Sequence, residues 1–135
     1  MTLTRDHVLS ALEVYIRAWE TQDPDLILTI FTEAATYHER VLSEPIPGRE
    51  AIRAYWQSKV AGAQANIRCR LVNLYLDGST AIAEWEAEFD DLVQGTRKHM
   101  KEIAVLEFEG GLIASLREYW ASEQVGQLST SAPLR

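Results

Sequence analysis

The chain has 135 residues, 47% of them apolar, and its 13 basic and 20 acidic side chains give a net charge of −7. That length suits one domain with a full core, and the acidic balance excludes the basic face that a nucleic-acid binder needs and disfavours anionic membrane surfaces. The lone cysteine, Cys69, excludes an intrachain disulfide and reads as a small core or interface residue; with no signal-peptide apolar run at the start and no stretch near the ~18 apolar residues of a membrane span, a cytoplasmic protein is expected.

Thr4 and Asp6 mark a helix start, a hydroxyl cap with an acid in the first turn. Val8, Leu12, Tyr15, Ile16 and Trp19 then recur at helical spacing, which predicts a first helix over 6–22. Asp23-Pro24 is a fresh start with proline at the first helical position. Leu26, Ile27, Ile30 and Phe31 predict a short second helix there. A strand follows over 34–40. The break Pro45-Ile46-Pro47-Gly48 launches a third helix over 49–60, with Ile52, Tyr55, Trp56 and Val60 on its inward face.

From Ala65 the period changes to two, the signature of strands. Asp77-Gly78, Gln94-Gly95 and Gly110-Gly111 are turn signals, and they divide the remainder into four strands, the last three over 80–89, 97–109 and 112–121. Residues 1–122 form the predicted domain, and 123–135 read as a loosely ordered tail. The layout is α+β, with three N-terminal helices packed on a strongly curved, mainly antiparallel sheet that encloses a conical pocket.

Several stretches carry a resemblance: the Asp23-Pro-Asp-Leu…Phe31 spacing, the strand Ala35-Thr-Tyr-His-Glu39 and the helix Gly48-Arg-Glu-Ala-Ile-Arg-Ala-Tyr-Trp56. They resemble the NTF2-like superfamily over about residues 6–122, with the SnoaL-like and ketosteroid-isomerase-like branches nearest. The resemblance implies a cone-shaped fold, a homodimer formed through the outer sheet face, and a pocket for a small apolar or planar ligand. Residues 35–48 match the ketosteroid-isomerase pattern in which a general base lies on the first strand, and Glu39 falls at that base. Tyr15 falls at the family's proton-donating tyrosine. Proline after the base is replaced by Arg40. The family's second acid, on a late strand, is replaced by Ala104, and Glu102 is the nearest acid on that face.

The chemistry of these residues admits alternatives. His38 and Glu39 are strand neighbours and point to opposite faces, so only one of them enters the pocket as base. A carboxylate walled by aromatic rings has its pKa raised by desolvation, towards the range useful for proton transfer near neutrality. Trp19, Tyr55, Trp56 and Trp120 read as pocket wall. The row Glu84, Glu86 and Glu88 has two registers. The one implied by the resemblance turns these glutamates into the pocket, with Glu86 against the ligand. Hairpin counting about Asp77-Gly78 instead sets Arg70 opposite Glu86 and Arg68 opposite Glu88, outside, with Trp85 facing the helices. His7, His38 and His99 form no metal-ligand motif, and no phosphate loop or dinucleotide fingerprint occurs. The expectation is a cofactor-free enzyme of isomerase, cyclase or dehydratase type, without a metal, that moves protons on an apolar carbonyl compound. Glu39 or His38 would be the base, with Tyr15 and Glu102 as donors. The alternative is a non-catalytic ligand-binding or accessory dimer.

Overall fold

The computed structural model describes residues 2–128. Helix α1 (Arg5–Thr21) starts where the sequence predicts, with the Thr4 hydroxyl accepting from the His7 amide, and buries Val8, Leu12, Tyr15 and Trp19 along one stripe. Gln22 closes it in the left-handed conformation at φ 56°, its amide donating back to the Ala18 and Trp19 carbonyls.

The predicted second helix is reduced to one 3-10 turn, Ile27–Ile30. The Asp23 carboxylate caps this turn by accepting from the Asp25 and Leu26 amides. Phe31 is already extended (φ −109°, ψ 147°) and opens strand β1 (Phe31–His38). A single turn fixes several residues for few hydrogen bonds, whereas extending Phe31 lets the strand pair with a neighbour in the sheet and buries its ring completely. Among the described residues the fold therefore has two α-helices, not three. The second, α2 (Gly48–Tyr55), follows the two-residue strand β2 (Ile46–Pro47) and continues in wider π-type turns over Trp56–Ala61.

The four remaining strands match the expected meander: β3 (Gln64–Asp77), β4 (Thr80–Asp91), β5 (Thr96–Glu109) and β6 (Leu112–Gln127). Strand β6 runs past the expected start of the tail, because Ser122, Glu123 and Gln124 pair with Met100, His99 and Lys98. The rest of the expected tail, beyond residue 128, lies outside the described residues. The six strands form one mixed sheet in the order β2-β1-β6-β5-β4-β3, with β1 and β6 parallel and the other pairs antiparallel.

Register decides which side chains face the helices. Hairpin counting holds at Asp77-Gly78: Arg70 stands opposite Glu86 and Arg68 opposite Glu88. Ala81, Ala83, Trp85, Ala87 and Phe89 are buried, so the glutamate row faces outward. The inward register for Glu86 is thereby corrected. Burying three carboxylates requires matching cations, while outside Glu86 meets Arg70 and His99 at 2.6 Å each. In β3 a bulge between Leu71 and Asn73 breaks the alternation, so Asn73 turns out to bond Glu84 and Leu74 turns in.

Candidate active site

The inner face of the sheet grades from apolar to charged along each strand. On β5 the inward positions run Leu106, Ala104, Glu102, Met100, Lys98; on β6 they run Leu116, Glu118, Trp120, Ser122. Leu106 pairs with Leu116 at the floor, and Ala104 pairs with Glu118 one step higher. Glu102 is a diagonal neighbour of Glu118, within side-chain reach across the pair of strands.

Two carboxylic acids thus meet inside an aromatic core. Glu102 is 5% exposed and Glu118 6%. Each lies close enough to shift the other's ionisation. Glu118 Oε2 also accepts from the Tyr15 hydroxyl at 2.7 Å and the Tyr37 hydroxyl at 3.2 Å, and these two hydroxyls lie 2.9 Å apart. Glu102 Oε2 accepts from Trp85 Nε1 at 2.6 Å. The Tyr15 ring stacks on Trp85 at 4.6 Å and meets Trp56 edge-on at 5.7 Å.

This geometry separates the roles of the acids. Burial pushes both carboxyls up, because the charged form is poorly solvated there. Glu118 reaches only about 7, since the hydrogen bonds from Tyr15 and Tyr37 favour its carboxylate. Glu102 is held well above the usual range by burial, then by the charge of Glu118. Of the two, Glu118 therefore gives up its proton first, and Glu102 keeps its proton to higher pH. Burial also pushes the Tyr15 and Tyr37 phenols up, so they remain donors.

A hollow of about 60 Å³ lies against this pair, walled by Trp19, Tyr55, Trp56, Met100 and Trp120. A wider cavity of about 430 Å³ adjoins it, and Glu39, Tyr55, Gln64, Met100 and Trp120 border both spaces.

Most residues singled out in the sequence come together here, in altered roles. Tyr15 and Glu102 are central. Trp19, Tyr55, Trp56 and Trp120 are wall residues; Trp19 Nε1 donates to Gln64 Oε1 at 2.9 Å and Trp120 Nε1 to the Glu39 carbonyl at 3.0 Å. Between His38 and Glu39, the latter faces the hollow. It sits at the rim between the two spaces, its Oε1 3.4 Å from Arg40 Nε. His38 turns away and donates through Nε2 to the Ser43 carbonyl at 2.5 Å. Glu86 lies on the outer face and takes no part in the hollow.

Sequence reasoning missed Glu118 and Tyr37. Both were signalled by period two: Tyr37 shares a face with Glu39, and Glu118 with Trp120. Glu118 stands directly across the ladder from Ala104, the position where the resemblance places a second acid. Among the described residues no group of three or more His, Cys, Asp or Glu side chains is arranged to hold a metal ion.

An α+β chain with helices on the inner face of a mixed six-stranded sheet, and acids set among aromatics on that face, defines the ketosteroid-isomerase-like fold class. The chain belongs to the SnoaL-like domain family, whose profile matches residues 12–116. Three solved structures are similar to it. An M. tuberculosis LEH-like epoxide hydrolase is 17% identical, covering 86% of this chain and 84% of its own, at a TM-score of 0.70. A hypothetical protein of ketosteroid isomerase-like fold from Catenulispora acidiphila, in complex with trimethylamine, is 20% identical with coverages of 81% and 83% and a TM-score of 0.71. SalBIII, an epoxide hydrolase/cyclase-like enzyme with a role in pyran ring formation in the polyether salinomycin, is 27% identical with coverages of 84% and 89% and a TM-score of 0.72. No match was found among curated proteins. No helix among the described residues is long and apolar enough to cross a membrane.

Proposed function

We propose that this protein is a general acid/base enzyme of cyclase type, which opens a small C–O ring with a hydroxyl nucleophile. The observation that carries the reading is the pair of buried carboxyls, Glu102 and Glu118, held by hydrogen bonds from Trp85, Tyr15 and Tyr37. The Glu118 carboxylate takes the proton from the nucleophile, either water or a hydroxyl of the substrate itself. The oxygen of that nucleophile forms a new bond to the ring carbon as the strained C–O bond breaks. Glu102 gives its proton to the departing ring oxygen. The proton now on Glu118 then passes to Glu102, which restores the starting state. No redox partner is needed for this cycle.

Two further points support ring opening over carbonyl isomerisation. The Tyr15 hydroxyl, expected as a free donor to an oxyanion, is engaged by Glu118. Glu39, expected as the base, has Arg40 beside it at the rim. Two of the similar structures, the M. tuberculosis protein and SalBIII, are described as an LEH-like epoxide hydrolase and an epoxide hydrolase/cyclase-like enzyme, which agrees with a ring-opening reading. The reading includes a homodimer formed through the outer sheet face, where Tyr75, Tyr119 and Val125 are exposed; sedimentation equilibrium tests it, and a monomer at micromolar concentration would contradict it.

The experiment is turnover of a panel of epoxides and hydroxy-epoxides, followed by product mass and chirality. Glu118→Gln and Glu102→Gln each remove one proton-transfer partner and are expected to lower turnover by roughly 10²-fold or more. Retained turnover in either variant would remove that acid from the mechanism. The second reading, ligand binding without conversion, is favoured by the small size of the deep hollow, about 60 Å³. It predicts saturable binding, no product from any epoxide, and indifference to Glu118→Gln.

A further inference from the structure

The mouth carries a charge pattern at odds with the rest of the molecule. The chain as a whole has a net charge of −7. The cavity at the mouth is nevertheless lined by Arg40, Lys59 and Lys98 against Glu39 and Asp91. Two of these groups answer each other: Arg40 lies beside Glu39 at 3.4 Å, with its guanidinium 5.1 Å from the centre of the Trp120 ring. Asp91 is engaged by the turn after β4, where its Oδ1 accepts from the Val93 and Gln94 amides at 3.0 Å. Lys59 and Lys98 remain, and among the described residues neither forms an ion pair.

These lysines come from different walls. Lys59 stands on the π-type turns after α2, and Lys98 on the inner side of β5. Lys98 lies four residues along β5 from Glu102, about 13 Å at the usual strand rise. The intervening surface is Met100, Phe89, Tyr55 and the ring of Trp120. The cavity therefore reads, from inside out, as a narrow acid-lined end, an apolar and aromatic middle, and an opening with two unpaired ammonium groups.

We propose that the substrate is an elongated organic anion. Its oxygen-bearing reacting end enters the hollow at Glu102 and Glu118, its apolar body lies along Met100 and Trp120, and a terminal carboxylate or phosphate sits between Lys59 and Lys98. This inference names the substrate class for the acid/base site and rests on that site being the reacting end. The small hollow admits a few heavy atoms, so the bulk of any substrate must occupy the outer cavity, where it meets the lysines. Ammonium groups on flexible stems suit either anion, as point charges that follow its position.

Octanoate, octyl phosphate and octan-1-ol test the proposal, with binding to the full chain measured by calorimetry at low salt. The expected result is that at least one anion binds roughly tenfold tighter than the alcohol, the size expected of two screened charge pairs. The preference should fall with added salt and vanish in Lys59→Gln/Lys98→Gln. The tighter of the two anions identifies the head group. Equal binding of the alcohol, a preference that survives the double substitution, or no binding of either anion would overturn the proposal. Glu118→Gln should retain the anion preference. Loss or retention of turnover in that variant judges the catalytic reading separately.

Discussion

Tyr15 and Tyr37 do for Glu118 what solvent does for an exposed carboxylate. Each donates to Oε2, at 2.7 Å and 3.2 Å, and so lowers the cost of its charge in a core that otherwise raises it. If Glu118 is the base, activity rises with pH through its ionisation, with an apparent midpoint near 7, and falls again where Glu102 loses its proton at higher pH. Removing a donor raises the Glu118 pKa, so the rising limb should move to higher pH. A hydrogen bond to a charged group is worth roughly 1.5–3 kcal/mol, so Tyr15→Phe should move the limb by about one unit or more. Tyr37→Phe, which loses the longer bond, should move it less. A pH–rate profile of both variants checks this. An unmoved limb would show that Glu118 is not the titrating base.

At the scale of elements, the site depends on how the chain leaves β1 and enters α2. Tyr37 pairs with Ile46, and Thr36 with Pro47, so the short strand β2 pins the end of β1 that presents Tyr37 and Glu39. Gly48 then turns into the helix with φ +84°, a left-handed backbone that side chains resist. Gly48→Ala should therefore destabilise the fold by about 1–2 kcal/mol, read as a lower urea midpoint at unchanged slope. An unchanged midpoint would mean that the junction relaxes freely. This junction was legible in the sequence as Pro45-Ile46-Pro47-Gly48, and so were α1, the turns at Asp77-Gly78 and Gly110-Gly111, and the long strands. The short second helix was not, because four apolar residues at helical spacing also suit a strand entry, and sheet pairing of Phe31 decides between them.

At the scale of the whole molecule, the acid pair ties stability to pH. The Glu118 pKa is raised on folding, from 4.5 to about 7. Below the unfolded value the group is protonated in both states and has no effect. As pH rises from about 4.5 to 7 the unfolded chain ionises first, so the Glu118 contribution is lost across that window, and Glu102, still protonated in the fold, continues the decline above it. At about 1.4 kcal/mol per unit the Glu118 loss is about 3 kcal/mol. Urea denaturation of the wild type at pH 5 and pH 8 should show this decline, and Glu118→Gln, which cannot ionise, should reduce it to the part that buried Glu102 contributes. A wild type equally stable at both pH values would contradict the burial cost. The same scale explains what the sequence left open. Glu39 and Tyr15 were visible through local pattern, but Glu118 becomes a partner of Tyr15, 103 residues away, only once β6 is paired with β5 and β1. Register, fixed by pairing across the sheet and by bulges such as that between Glu107 and Phe108, is a property of the assembled molecule.

The central claim is that Glu118 ionises near neutrality while Glu102 beside it keeps its proton. Carbon-13 NMR of the glutamate side-chain carboxyls across pH 3–10 reads this directly, with Glu102→Gln and Glu118→Gln used to assign the signals. The predicted result is one carboxyl titrating near pH 7 and a second remaining protonated well above it. Both signals titrating near the usual glutamate value of about 4.3 would contradict the account.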